Sequence, residues 1–210
     1  MGSLKLAKSL VPAESRGYLS VSRINVDIDE CPSMSPAIRT IIRAPNLRTL
    51  SFGTGNYNGD EFHSLADVFD FDVSKISRLD VSRVPDLDLD WEEDILRRFS
   101  SLHTLCLDIL HLPILFTPEL APTVHTLHVD LDDYDDEEFA VEQEAAEVLE
   151  GILLAEPRRE FLPELATLVF IHESKTLADL IEAGIVSAEL QRLCEGRGVK
   201  VLSMTKTTVS

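Results

Sequence analysis

The sequence predicts an α/β solenoid, with a parallel sheet on its concave face and helices on its convex face. Three observations predict it. One short pattern recurs along the 210 residues: "NLRTLSFG" from Asn46 returns as "ISRLDVS" from Ile76, "LHTLCLD" from Leu102 and "VHTLHVD" from Val124. Several of the segments between the copies carry apolar residues at helical intervals. A Leu-Xaa-Thr-Leu core stands at Leu47, Leu102 and Leu165, with "VHTL" at Val124, and a proline leads three of these copies at Pro45, Pro122 and Pro163.

Each copy has apolar residues at its first, fourth and sixth positions. A strand that buries the fourth and sixth and turns the third, fifth and seventh to solvent can stack in parallel beside its own copies. Seven copies are present, adding "VSRINVD" from Val21, "LATLVFI" from Leu165 and a looser "VKVLSM" from Val199. Their fourth-position anchors are Ile24, Leu50, Leu79, Leu105, Leu127, Leu168 and Leu202, separated by 26, 29, 26, 22, 41 and 34 residues. An irregular period centred in the twenties is that of leucine-rich repeats, about seven of them in a single domain over residues 1–210. Residues 1–18 read as a disordered stretch or as the truncated start of a longer chain.

The intervening segments must cover the other side of the strands. "PAIRTIIRA" opens with Pro36 at a first helical position, and "DEFHSLADVF" opens with Asp60 as a capping residue. "DWEEDILRRF" from Asp90 places acids in a first turn, where the helix dipole favours them. Val141, Ala145, Val148 and Ile152 fall at helical intervals before Pro157, which predicts an amphipathic helix of about five turns. "KTLADLIEAGI" predicts another helix, and "SAELQRLCEGRG" a last one starting near Ser187 and ending at Gly196 or Gly198.

"APNLRTLSF", "APTVHTLHV" and "LPELATLVF", closed by "LQRLCEGRGVKV", resemble the repeat region of fungal F-box leucine-rich-repeat proteins over residues 20–205. The resemblance implies that the repeats bind a substrate while an F-box docks on a Skp-type adaptor of a cullin-RING ubiquitin ligase. The stretch before Val21 is too short for the helical F-box, so that module would have to be encoded upstream of Met1. No F-box residue carries over.

A hydrophobic share of 44% is enough for a sizeable core, and a formal charge of −18 repels phosphate backbones and anionic membranes. The expected partner is therefore a protein, basic or neutral, with neither nucleic acid nor membrane involved. Cys31, Cys106 and Cys194 are too few and too scattered for a disulfide framework or a paired-cysteine metal site, which points to the cytoplasm or nucleus. The N-terminus lacks the apolar core of a secretory signal, and Leu6 stands where a myristoylation signal needs Ser or Thr.

Aligning the copies places Arg23, Thr49, Arg78, Thr104, Thr126 and Thr167 at the third position. Asn25, Ser51, Asp80, Cys106, His128 and Val169 share the fifth, and Asp27, Gly53, Ser82, Asp108, Asp130 and Ile171 the seventh. This gives a polar, acidic face that becomes apolar toward its C-terminal end, a plausible docking surface. The predicted partner-binding residues are Arg78, Asp80, Asp108, His128 and Asp130, with the acid run at Asp132, Asp133, Asp135 and Asp136 as a second patch.

Cys106 beside His128 suggests a nucleophile and base, but a sheet face supplies neither a water-excluding cleft nor an oxyanion donor, so the residues read as a solvated polar face. "DLDLDWEED" from Asp86 matches the first three ligands of a calcium loop. It then puts Trp91 where glycine is required and Arg97 in place of the final glutamate. The run from Asp130 fails at Tyr134. His103 and His125 occupy equivalent second positions at the sheet margin. No zinc-protease, phosphate-loop or nucleophile-elbow motif is present, so the expectation is a non-enzymatic interaction module with no cofactor and no metal.

Overall fold

The structure is a computed structural model that describes residues 22–27, 45–53, 73–83, 96–116, 122–131, 139–154 and 162–206. They fall into two compact units, one running to Leu102 and the other beginning at His103. Each unit is α/β or strand-built, with every strand parallel to its neighbour and paired in chain order.

In the first unit, β1 (Arg23–Asp27), β2 (Thr49–Gly53) and β3 (Arg78–Arg83) lie side by side. β1 meets β2 in register from Arg23↔Thr49 to Asp27↔Gly53. β2 meets β3 through Ser51↔Asp80, after which the register slips so that Gly53 faces Arg83. The extra residue is a β-bulge, which sets Arg83, rather than the expected Ser82, opposite Gly53. Leu50 and Leu79 are buried, as their anchor position requires.

The lead-in to each strand explains the recurring proline. Ile76 N–H donates to the Val73 carbonyl at 3.0 Å, Leu102 to Phe99 at 3.3 Å and Leu165 to Leu162 at 3.1 Å. These are β-turns, and Pro163 holds the second place of its turn, where its fixed φ is already suitable. Pro45 and Pro122 hold the equivalent places before Leu47 and Val124. Beyond the turn, two successive N–H groups converge on the carbonyl of the residue just before the preceding strand: Arg48 and Thr49 on Ser22, His125 and Thr126 on His103, Ala166 and Thr167 on His125.

The second unit carries β4 (Thr104–Asp108), a 3-10 helix (Ile109–Phe116), β5 (Thr126–Asp130), α1 (Phe139–Leu154), β6 (Thr167–His172), α2 (Leu177–Glu182), α3 (Ala188–Arg197) and β7 (Lys200–Thr205). The strands run β4-β5-β6-β7, all parallel. Leu105, Leu127 and Leu168 form a fully buried row, backed by Leu107, Val129 and Phe170. Each such side chain withdrawn from water favours folding by about 2 kcal/mol.

α1 buries Ala146, Leu149, Ile152 and Leu153 and packs on the 3-10 helix and on α3. Its 16 residues come slightly short of the expected five turns. α3 matches expectation at both ends: Ser187 caps it by accepting from Leu190 N–H at 2.9 Å, and Gly198 closes it with φ 73°. The Ser187 hydroxyl also donates to the Glu150 carboxylate, tying α3 to α1. The 3-10 helix was not expected; "ILHLPILF" has no helical period, and Pro113 inside it prevents a regular α-helix.

The last copy corrects one expectation. Leu168 pairs with Val201, and Leu202 pairs with Val169. The predicted anchor, Leu202, is thus displaced by one residue, onto the opposite face. The cause is the lead-in, which here is a helix end rather than a β-turn: Val199 N–H donates to the Cys194 carbonyl at 2.7 Å and Gly198 N–H to Glu195 at 3.0 Å. Val199 fills the core as part of that cap, so its apolar character mimics a first position that it does not hold.

The helices expected from Pro36 and Asp60, most of the one from Asp90, and residues 1–18 lie outside the described residues.

Candidate functional site

In the second unit the strand register assembles two rows on the face opposite the leucine anchors. Cys106, His128, Val169 and Leu202 are successive neighbours in one row, and Asp108, Asp130, Ile171 and Met204 in the other. The juxtapositions expected from the sequence are therefore present. Their exposure is not.

Asp108 and His128 are each 8% exposed, Asp130 3% and Cys106 1%. The expectation that Asp108, His128 and Asp130 face solvent is overturned. These rows are therefore closed to solvent across β4 and β5. A buried carboxylate needs compensation, and Asp130 receives it from Lys206, whose Nζ lies 3.0 Å from Oδ1 and 2.9 Å from Oδ2. Lys206 is held in place by its own N–H, which donates to the His172 carbonyl at 3.1 Å. The acid thus ties the last strand of the unit back to β5.

The rows open at their other end. Leu202 is 47% exposed and Met204 51%, beside Val169 and the half-buried Ile171. Sequence reasoning anticipated an apolar C-terminal end at Val169 and Ile171 and missed the two residues that carry it. The signal was present as "KVLSMTK", in which Lys200, Leu202, Met204 and Lys206 alternate on one face.

In the first unit Arg78 and Asp80 are half-buried on β3. Asp80 accepts from the Ser82 hydroxyl at 2.9 Å and from the Ser82 N–H at 3.4 Å, so its carboxylate braces the bulged strand. Asp132, Asp133, Asp135 and Asp136 lie outside the described residues.

Cys106 neighbours His128 in register, yet its burial closes the sulfur to a substrate in solution. Cys194 lies on the buried side of α3, and that burial pushes its thiol up to about 11, with Arg197 pulling weakly the other way. Among the described residues, no group of three or more His, Cys, Asp or Glu side chains is placed to hold a metal ion. Nor is any helix among them long and apolar enough to cross a membrane. No family model, curated protein or solved structure matches the chain.

Proposed function

We propose that the chain is a leucine-rich-repeat solenoid of about seven units that acts as a non-enzymatic protein-interaction module, with β7 as its principal docking strand. The observation that carries this reading is the exposed pair Leu202 and Met204 at the open end of rows that are otherwise closed. Adjacent large apolar side chains held on a rigid strand supply the desolvated centre of an interface. The supporting frame is the parallel, chain-ordered stacking of leucine-anchored strands, which builds surfaces rather than pockets.

The charge of −18 favours a partner with a basic rim, because complementary potential speeds encounter and disfavours acidic competitors. Arg78, Asp80 and the acid run at Asp132, Asp133, Asp135 and Asp136 are proposed secondary contacts. The proline-led Leu-Xaa-Thr-Leu copies support a second reading, the substrate-recognition part of an F-box ubiquitin-ligase receptor. A Skp-type adaptor would enter only through an F-box encoded upstream of Met1.

The test is quantitative affinity capture with the wild-type chain beside a Leu202→Asp/Met204→Asp variant, bound proteins being identified by mass spectrometry. Both positions are about half-exposed, so the variant retains the fold. A protein captured by the wild type and lost from the variant is the expected result. Equal capture by both would remove β7 as the docking strand.

A further inference from the structure

β7 ends the strand order of its sheet: β6 pairs along one side of it, and among the described residues no strand lies along the other. In a parallel pair the N–H and C=O of one residue point to the same side, and the side alternates from residue to residue. Lys200 N–H donates to the Ala166 carbonyl at 2.9 Å and Lys206 N–H to the His172 carbonyl at 3.1 Å. The main chain of Lys200, Leu202, Met204 and Lys206 therefore turns toward β6. The N–H and C=O groups of Val201, Ser203 and Thr205 point the other way, along the outer edge.

The exposed Leu202 and Met204 side chains stand over the same stretch of strand. An outward row of main-chain donors and acceptors beside alternating apolar side chains has the two halves of a strand-addition surface. The main chain supplies affinity, and the side chains select the sequence that pairs. A helix laid on Leu202 and Met204 would cover the outward groups of Val201, Ser203 and Thr205 without bonding them, which is costly. A second copy is disfavoured by charge. Antiparallel pairing that set Leu202 against Met204 of another copy would place Lys200 opposite Lys206, and each copy carries a formal charge of −18.

We infer, building on the reading of β7 as the docking strand, that the protein partner supplies an extended segment that adds to the outer edge of β7 as a further strand. The segment bonds through its main chain to Val201, Ser203 and Thr205 and lays large apolar side chains beside Leu202 and Met204. It also brings a carboxylate to the exposed Lys200. Lys206 makes no such demand, because Asp130 already engages its Nζ at 2.9 Å. A basic rim on the partner falls beyond this strand, where the net charge of the chain acts on it.

The experiment selects binders of the full chain from a displayed library of random linear dodecapeptides and measures the best of them by fluorescence anisotropy. The expected peptides carry apolar residues at alternate positions and an acid at one end of that run. Ser203→Pro removes one outward N–H, leaves the bonds to β6 in place and should weaken binding about tenfold or more, as should Leu202→Asp/Met204→Asp. Circular dichroism checks that each variant stays folded. N-methylation of alternate amides of the peptide repeats the test on the unaltered chain, and one of the two alternate sets should abolish binding. No enrichment, apolar residues at helical spacing, or binding kept by Ser203→Pro and by both methylated sets would overturn strand addition. Loss in Leu202→Asp/Met204→Asp alone would leave β7 as the docking strand and remove the added strand, whereas binding unchanged in every β7 variant would remove both.

Discussion

Lys206 reaches Asp130 from 76 residues along the chain, so one ion pair joins the last described strand to the middle of its unit. The Asp130 side chain is 4% exposed and that of Lys206 21%, which places the pair where losing one partner costs more than a surface bridge would. Lys206→Met should lower unfolding stability in urea by about 1–3 kcal/mol, and an additional Asp130→Asn should restore part of it. An unchanged midpoint would show that the pair contributes nothing. Cys194 makes a second prediction at this scale. Its folded-state thiol is raised from 9.0 to about 11, so the unfolded chain ionises first as the pH rises. The stability associated with the neutral thiol is present below about pH 9 and is lost as pH climbs toward 11, a trend that Cys194→Ala should flatten.

At the scale of elements, what the sequence revealed and what it hid have distinct physical causes. α3 was legible at both ends because its start and stop are local chemistry: a serine hydroxyl for orphan N–H groups and a glycine able to take a left-handed φ. Short β-turns made the strand entries legible too, since proline at the second place needs nothing from elsewhere in the chain. α2 was anticipated as a helix without its cap. The Thr176 hydroxyl accepts from Asp179 N–H at 3.4 Å, while Asp179 Oδ2 accepts from the Thr176 N–H and hydroxyl, both at 2.7 Å. Those bonds hold the Asp179 carboxyl below the usual carboxylate range. An aspartate in place of the longer glutamate or glutamine disguised this capping box. The 3-10 helix stayed hidden because a continuous apolar run such as "ILHLPILF" carries no period to read.

At the scale of the whole molecule, the leucine anchors were legible because burying them is what makes the copies stack. The state of the opposite face was not, because whether Asp108, His128 and Asp130 meet water depends on what lies over them. No pattern within a strand encodes that. Register has the same non-local character, and a one-residue slip exchanges the two faces of a strand. The proposed docking strand rests on it: if Leu202 paired with Leu168, Leu202 would point into the core and Val201 and Ser203 would face outward. Adjacent strands in register bring paired Cα atoms within the range of about 4.4–6.8 Å that a disulfide bridges. The most direct measurement is therefore oxidative cross-linking of two double variants, Ile171→Cys/Met204→Cys and Ile171→Cys/Thr205→Cys, mapped by mass spectrometry. The observed register pairs Ile171 with Met204, so the first variant should form the bond in high yield and the second should not. Preferential cross-linking of the second would restore Leu202 to the core and contradict the account of β7.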